Sequence, residues 1–175
     1  MIVEREQPGQ EAEIHAVTLA AFGRRAEADL VDRLRTDPGW IPELSLVARQ
    51  IGQGDARAGG QIVGHVVCSR GAIDGKPALG LGPLSVHPDH QKRGVGSALM
   101  HAVLGAADAL GEPVVILLGN PAYYHRFGFT LADESGITAP VPEWAPYFQA
   151  RPLTNYRPSL RGGFTYAAPF DDIPA

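Results

Sequence analysis

The chain has 175 residues, 45% of them hydrophobic and 19% charged, with a net charge of −4 and a pI of about 5.8. That suits a single domain with a sizeable core and weighs against a general nucleic-acid binder. One cysteine excludes an internal disulfide, the N-terminus lacks the apolar stretch of a signal peptide, and no apolar run approaches the roughly 20 residues of a membrane span. A cytoplasmic protein with no nucleic-acid or membrane partner is expected.

Ile2 to Glu6 alternates charge and apolarity and reads as a short strand, turned by Pro8-Gly9. From Glu11 to Phe22 the spacing of Ile14, Val17, Ala21 and Phe22 predicts a helix. A second is predicted from Ala26 to Arg35, with Leu30, Val31 and Leu34 on one face and Asp37-Pro38-Gly39 as its stop. Leu44 to Arg49 reads as a strand, Gly52 to Gly60 as a polar, glycine-rich hairpin loop, and Ile62 to Ser69 as the next strand. Gly64 within it marks a bulge or a close backbone approach. Cys68 reads as a buried, inert thiol, and His65 as structural or half exposed. Asp74-Gly75 is a hairpin turn.

Ala78 to Val86 then has to be a central strand, yet it contains Gly82-Pro83. Proline donates no ladder hydrogen bond, so the strand is expected to bulge there and peel away from a neighbour. The helix after Gly94 should bury Val95, Leu99, Ala102, Val103, Ala106 and Leu110, with Gly111 as its C′ residue and His101 at the surface. Val114 to Leu118 is purely apolar and suits a strand buried on both faces. Strand, helix and strand make a βαβ unit with parallel strands, whose ligand end is the carboxyl end of the first strand. Pro121 to Phe127 reads as a short helix, and Phe129 to Leu131 begins another strand. The tail is rich in proline and aromatics, so it is expected to pack, as an extra strand and loop. The histidines are scattered, and no metal site is expected.

Gln91-Lys92-Arg93-Gly94-Val95-Gly96-Ser97 opens the long helix at that ligand end. The first turn of a helix has N–H groups without intrahelical partners, and the helix dipole adds partial positive charge. Gly94 and Gly96 let a ligand oxygen approach the backbone, and Lys92 and Arg93 add full charges. The stretch is not a Walker loop, since the Gly-Lys-Ser/Thr ending is missing. It is not the dinucleotide fingerprint either, since Leu99 stands where the third glycine would fall.

Gln91-x-x-Gly94-x-Gly96 after Leu84-x-Val86-x-Pro88 resembles the acyl-CoA signature of the GNAT N-acetyltransferase superfamily. In the order that superfamily requires comes Asn120-Pro121-Ala122-Tyr123-Tyr124-His125-Arg126-Phe127-Gly128-Phe129, whose paired tyrosines look most like the YhbS-like branch. The resemblance implies an α/β (α+β mixed) fold. Its central mixed, twisted sheet is splayed beside strand 78–86 and flanked by helices on both faces. It implies a single domain over 1–175, with a core of about 1–135 and a C-terminal extension, 136–175, packed on it. It implies acetyl-CoA as co-substrate, no metal, an amine acceptor that is a small molecule or a protein, direct attack in a ternary complex, and a homodimer.

Residue by residue, the resemblance assigns the pantetheine arm to the backbone of Leu84, Ser85 and Val86 and to Asn120, with Tyr123 nearby. It assigns the pyrophosphate to Lys92, Arg93, Gly94, Val95, Gly96 and Ser97, with Gln91 flanking it. The Val86 N–H would hold the acetyl carbonyl, and Tyr124 would be the acid that protonates the departing sulfur. Glu27 and Trp40 are candidate substrate-pocket residues, against plainer readings as a solvated helix charge and a packing residue. An alkylamine with a pKa near 10.4 is neutral in only about one molecule in 2,500 at pH 7, a penalty of about 4–5 kcal/mol. The family often meets this with a glutamate on the strand that here reads Ala-Leu-Gly-Leu-Gly-Pro-Leu-Ser-Val, with no acid in it. A CoA-binding module without catalysis, a sensor or interaction domain of the same fold, is the alternative.

Overall fold

The computed structural model describes residues 1–51 and 60–173, so the loop expected from Gly52 lies, but for Gly60, outside the described residues. The chain runs β1 (Ile2–Arg5), α1 (Glu11–Phe22), α2 (Ala26–Leu34), β2 (Ser45–Gln50), β3 (Gln61–Ile73) and β4 (Lys76–Val86). It continues with α3 (Val95–Ala109), β5 (Val114–Leu118), α4 (Pro121–Tyr124), β6 (Thr130–Leu131), β7 (Ile137–Thr138), β8 (Phe148–Pro152) and β9 (Gly162–Thr165). The main sheet has the order β1-β2-β3-β4-β5-β8-β6. Its pairs are antiparallel except β4 and β5, the pair joined by α3. Asp74 and Gly75 both take positive φ, 45° and 76°, which the tight β3–β4 turn requires.

Side-chain alternation sends the two sheet faces to different helices. Leu46, Ala48, Val66 and Cys68 pack with Val95, Leu99 and Val103 of α3. Val47 packs with Ile14 and Val17 of α1, and Val67 with Leu30 and Leu34 of α2. A Cβ on Gly64 would sit 3.0 Å from Val95 Cγ1 and Leu99 Cδ1, so this glycine lets α3 lie close on β3. The α3 stripe differs from expectation. Met100, Leu104 and Ala107 are buried, Ala102 and Ala106 are half-buried, and Leu110 is exposed. The helix ends as read: Gly111 (φ 77°) follows Leu110, and the Gly111 and Glu112 N–H groups donate to Asp108 O and Ala107 O. Phe22, expected on the α1 core face, is exposed, and buried Thr18 takes its place.

The tail is part of the sheet. β8 pairs with β5 along its whole length, and β9 pairs with the end of β3. Val115 and Leu117 of β5 face α3, while Val114 and Ile116 face Phe148, Phe164 and Ile137. A Cβ on Gly71 would meet the Phe164 ring at 2.6 Å, and one on Gly80 the Tyr166 ring at 2.8 Å. These strand glycines are the seats of the tail aromatics.

A polar network is buried between the sheet and α1–α2. His65 is fully buried, not half exposed, and its Nε2 lies 2.9 Å from Ser45 Oγ. The Ser45 hydroxyl donates to Glu6, and Arg35 Nε donates to Glu6 Oε1 at 2.5 Å. Burial alone would raise the Glu6 pKa; bonds from His65, Ser45 and Arg35 outweigh it and hold the carboxyl down at about 2 against 4.5. For His65, burial outweighs the nearby Glu6 carboxylate and pushes the pKa below 6.5. The Glu6 contribution to stability is complete above pH 4.5 and is lost as pH falls from 4.5 toward 2. Neutral, buried His65 adds to the loss, because below its ordinary pKa the unfolded chain takes up the proton first. Glu6→Gln is expected to lower stability at pH 7 by about 2 kcal/mol and to flatten the acid limb between pH 4.5 and 2, read from urea titrations across that range. A limb of unchanged slope would place the acid sensitivity elsewhere.

Candidate active site

The site begins where a backbone ladder stops. β4 pairs with β5 only at Leu79 and Gly80. On its other edge, Val66 faces Leu84 and Cys68 faces Leu81, so β4 carries one extra residue at Gly82-Pro83. The bulge expected from the proline is there, and the Gly82-Pro83 bond is cis. Beyond it, the His87 N–H donates to Val63 O at 2.9 Å, which sets the phase of the antiparallel ladder. Ser85 and His87 therefore direct their backbone groups at β3, while Leu84 and Val86 direct theirs at the side that β5 has left.

A cleft of about 570 Å³ occupies this opening. Leu84 and Val86 line it on one side, Tyr123 and Tyr124 on the other, and Gln91, Lys92, Gly94, Val95, Gly96 and Ser97 at one end. Gly94 caps α3 in the left-handed region (φ 83°). The Ala98 N–H donates to Gly94 O, so the N–H groups of Val95, Gly96 and Ser97 precede the first intrahelical bond. Lys92 also has positive φ, 58°, which costs a lysine roughly 1 kcal/mol. A Cβ on Gly96 would stand 2.8 Å from Tyr123 Oη, and one on Gly119 only 2.3 Å from Tyr124 Cε2. Both tyrosines thus lie against backbone that a side chain would deny them. Their rings meet edge to face at 4.9 Å, and Tyr124 also meets Phe129. Burial, with Tyr123 beside it, pushes the Tyr124 phenol up to about 12, so it is protonated throughout the neutral range.

Several residues singled out from the sequence stand apart. The Ser85 side chain points away, under α1, with its Oγ 3.1 Å from Thr18 Oγ1. Gln91 lines the cleft, but its Nε2 donates to Val86 O at 3.2 Å. Asn120 caps α4, its Oδ1 accepting from the Ala122 N–H at 3.0 Å, and it does not line the cleft. Arg93 is exposed beside it. Glu27 is buried rather than solvated, its carboxylate held by Arg24 Nε at 2.9 and 3.1 Å. Trp40 packs on the core of Leu30, Leu34 and Val67. Neither Glu27 nor Trp40 lines the cleft. Cys68 is fully buried, and burial raises its thiol pKa.

Ala21, Phe22 and Arg126 line the cleft and were not read from the sequence. Arg126 follows Tyr123 by three residues and places its guanidinium carbon 4.9 Å from the tyrosine ring, a pairing that helical spacing could have shown. Phe22 precedes Gly23, whose left-handed turn (φ 68°) ends α1 at the cleft.

A family model described as an acetyltransferase (GNAT) domain matches residues 47–131. The uncharacterized N-acetyltransferase YjhQ of Escherichia coli is 36% identical over 136 residues, covering 75% of this chain and 71% of YjhQ. The uncharacterized N-acetyltransferase YhbS of the same organism is 31% identical over 157 residues, 89% of each chain. The chain belongs to the GNAT acetyltransferase family. Among solved structures, E. coli YhbS in complex with CoA superposes with a TM-score of 0.89 at 29% identity, covering 99% of this chain and 93% of that one. A GNAT acetyltransferase from Brucella melitensis in complex with acetyl-CoA gives 0.77 at 33% identity, covering 97% of each. The fold is therefore the GNAT fold, and the enzyme class is acyltransferase.

The close fit of Tyr124 on Gly119 yields a steric test. Gly119→Ala is expected to displace the Tyr124 ring and to cost about 1–3 kcal/mol of stability by chemical denaturation, as overpacking does. Unchanged stability would mean the ring yields freely.

Proposed function

We propose that the chain transfers an acetyl group from acetyl-CoA to a primary amine of a small molecule or protein, by direct attack while both are bound. The observation that carries this is the cleft where β4 leaves β5, with free backbone on one wall and the start of α3 at its end. The fit is specific. The Val95, Gly96 and Ser97 N–H groups, with Lys92 and Arg126, suit a pyrophosphate. The Leu84 and Val86 backbone suits an amide-bearing arm laid along it as an extra strand. YhbS and the Brucella protein, whose structures contain CoA and acetyl-CoA, support the same cofactor here.

Acetyl-CoA supplies an activated acetyl thioester. The Val86 carbonyl is held by Gln91, and its N–H faces the cleft, where it stabilises the negative charge that develops on the thioester oxygen. The amine nitrogen forms the new C–N bond, the C–S bond breaks, and one proton passes overall from nitrogen to sulfur. Tyr124 serves that last step. A complete transfer from a phenol at about 12 to a thiolate near 8.5 is uphill by roughly 5 kcal/mol. Tyr124 therefore acts as a hydrogen-bond donor to the departing sulfur, giving up its proton only as the one from the amine replaces it. Asn120 spends its Oδ1 on capping α4, which leaves its amide nitrogen unspent.

Gly94→Glu and Gly96→Glu are expected to abolish acetyl-CoA binding, read as loss of the thermal shift that the cofactor gives the wild type. Micromolar binding by either variant would overturn the pyrophosphate assignment. Tyr124→Phe should lower turnover by about 10- to 100-fold in a thiol-release assay over a panel of amines, with cofactor affinity unchanged. Wild-type turnover in that variant would remove Tyr124 from the mechanism.

A further inference from the structure

A second cleft, of about 340 Å³, lies on the far half of α3, between that helix and the chain leaving β8. Its size is at the low end of small-ligand cavities. Its walls are fixed by hydrogen bonds. Asp108 accepts from the Thr154 N–H at 2.9 Å and from its hydroxyl at 3.0 Å. The Leu153 N–H donates to Pro113 O, and Asn155 Nδ2 donates to Gly111 O. His101 stands at one end, its ring edge to face with Phe127 at 5.3 Å.

Arg151 lines this cleft. Its Nε is sealed from solvent, and among the described residues its guanidinium makes no hydrogen bond or ion pair. Arg33 and Arg35 also have a sealed nitrogen, but each spends its others on carboxylates. The Arg151 guanidinium lies close against Gly128, where a Cβ would meet Nη1 at 2.6 Å. With Nε sealed, the unspent Nη groups are the donors left to receive a planar oxyanion. Asp108 is a fixed negative charge in the same cleft, which opposes a polyanion. Leu104 and Leu153 give it an apolar wall.

We propose that this cleft binds a small monocarboxylate with an apolar body, the carboxylate on Arg151 and the body against Leu104 and Leu153. The site is separate from the acetyl-transfer cleft and does not depend on the reading of that cleft.

The test is calorimetric titration of the full chain with sodium benzoate and sodium butyrate, at ionic strength matched with sodium chloride, and amide chemical shifts to place the ligand. Saturable binding at millimolar concentration or tighter is expected, with shifts at Gly105, Gly128 and Leu153 rather than at Gly94 to Ser97. Arg151→Gln should weaken binding at least tenfold. Gly105→Glu should do the same, because its Cβ points into open space, so the variant adds a carboxylate without a clash. No saturable binding, equal affinity in either variant, or inorganic phosphate binding as tightly as benzoate would overturn the proposal.

Discussion

Everything at the cleft beside β4 follows from one seam in the sheet. β4 is engaged with β3 on both sides of the bulge at Gly82-Pro83, and β5 is fully engaged with β8, yet β4 and β5 share only the pairs at Leu79 and Gly80. Folded chains rarely leave buried backbone unpaired, because each lost partner costs about 1–3 kcal/mol. Leu84 and Val86 avoid that cost by facing an open cleft. What keeps the seam from closing is packing on both sides of it. Gly64 brings α3 hard against β3, and Tyr124 lies over Gly119 at the end of β5. The extra residue at Gly82-Pro83 makes the two edges diverge instead of realigning.

The same opening sets the electrostatics. An acidic chain, at −4 overall, places Lys92 and Arg126 in the cleft wall, next to the positive end of α3. The acidic groups with the strongest partners lie elsewhere. Glu6 is tied into the network with His65 and Arg35 on the α1–α2 face, and Glu27 is neutralised by Arg24. Negative charge is thus compensated where it is buried, and the cleft stays positive along the wall that a pyrophosphate would meet. The Tyr124 phenol, shielded by Tyr123, Phe129 and Gly119, is held in its protonated form by that shielding.

Much of this was legible in the sequence, for local physical reasons. The proline in a strand that had to be central announced the bulge. Gly94 and Gly96 beside Lys92 announced the helix start, and Gly111 announced its end. What failed was whatever depends on distant chain. The α3 stripe was rotated because Met100 and Leu104 meet β strands and Phe127, not an averaged apolar side. Phe22 was read as core because its spacing fits, whereas the left-handed turn at Gly23 leaves it at the cleft. His65 read as structural or half exposed, and the choice stayed open because its carboxylate partner, Glu6, lies 59 residues earlier, on the far side of two helices. The glycines at 71 and 80 carried no readable meaning until Phe164 and Tyr166 filled the space beside them.

The tail shows why such a seam can exist at all. A parallel pair held at two positions would, left alone, fray or slide into fuller register. Here β8 binds the outer edge of β5 from end to end, and Phe148 and Phe164 cover the β5 face that α3 does not. β9 clips the end of β3 at Ala72 and Ile73, and Tyr166 lies against Gly80, at the last residue where β4 and β5 still pair. The tail therefore fixes β5 from outside and the root of the seam from below. The strands can then part above Gly80 without loosening beneath it. Residues 136–173 act on the cleft by fixing its hinge point, although none of them lines it.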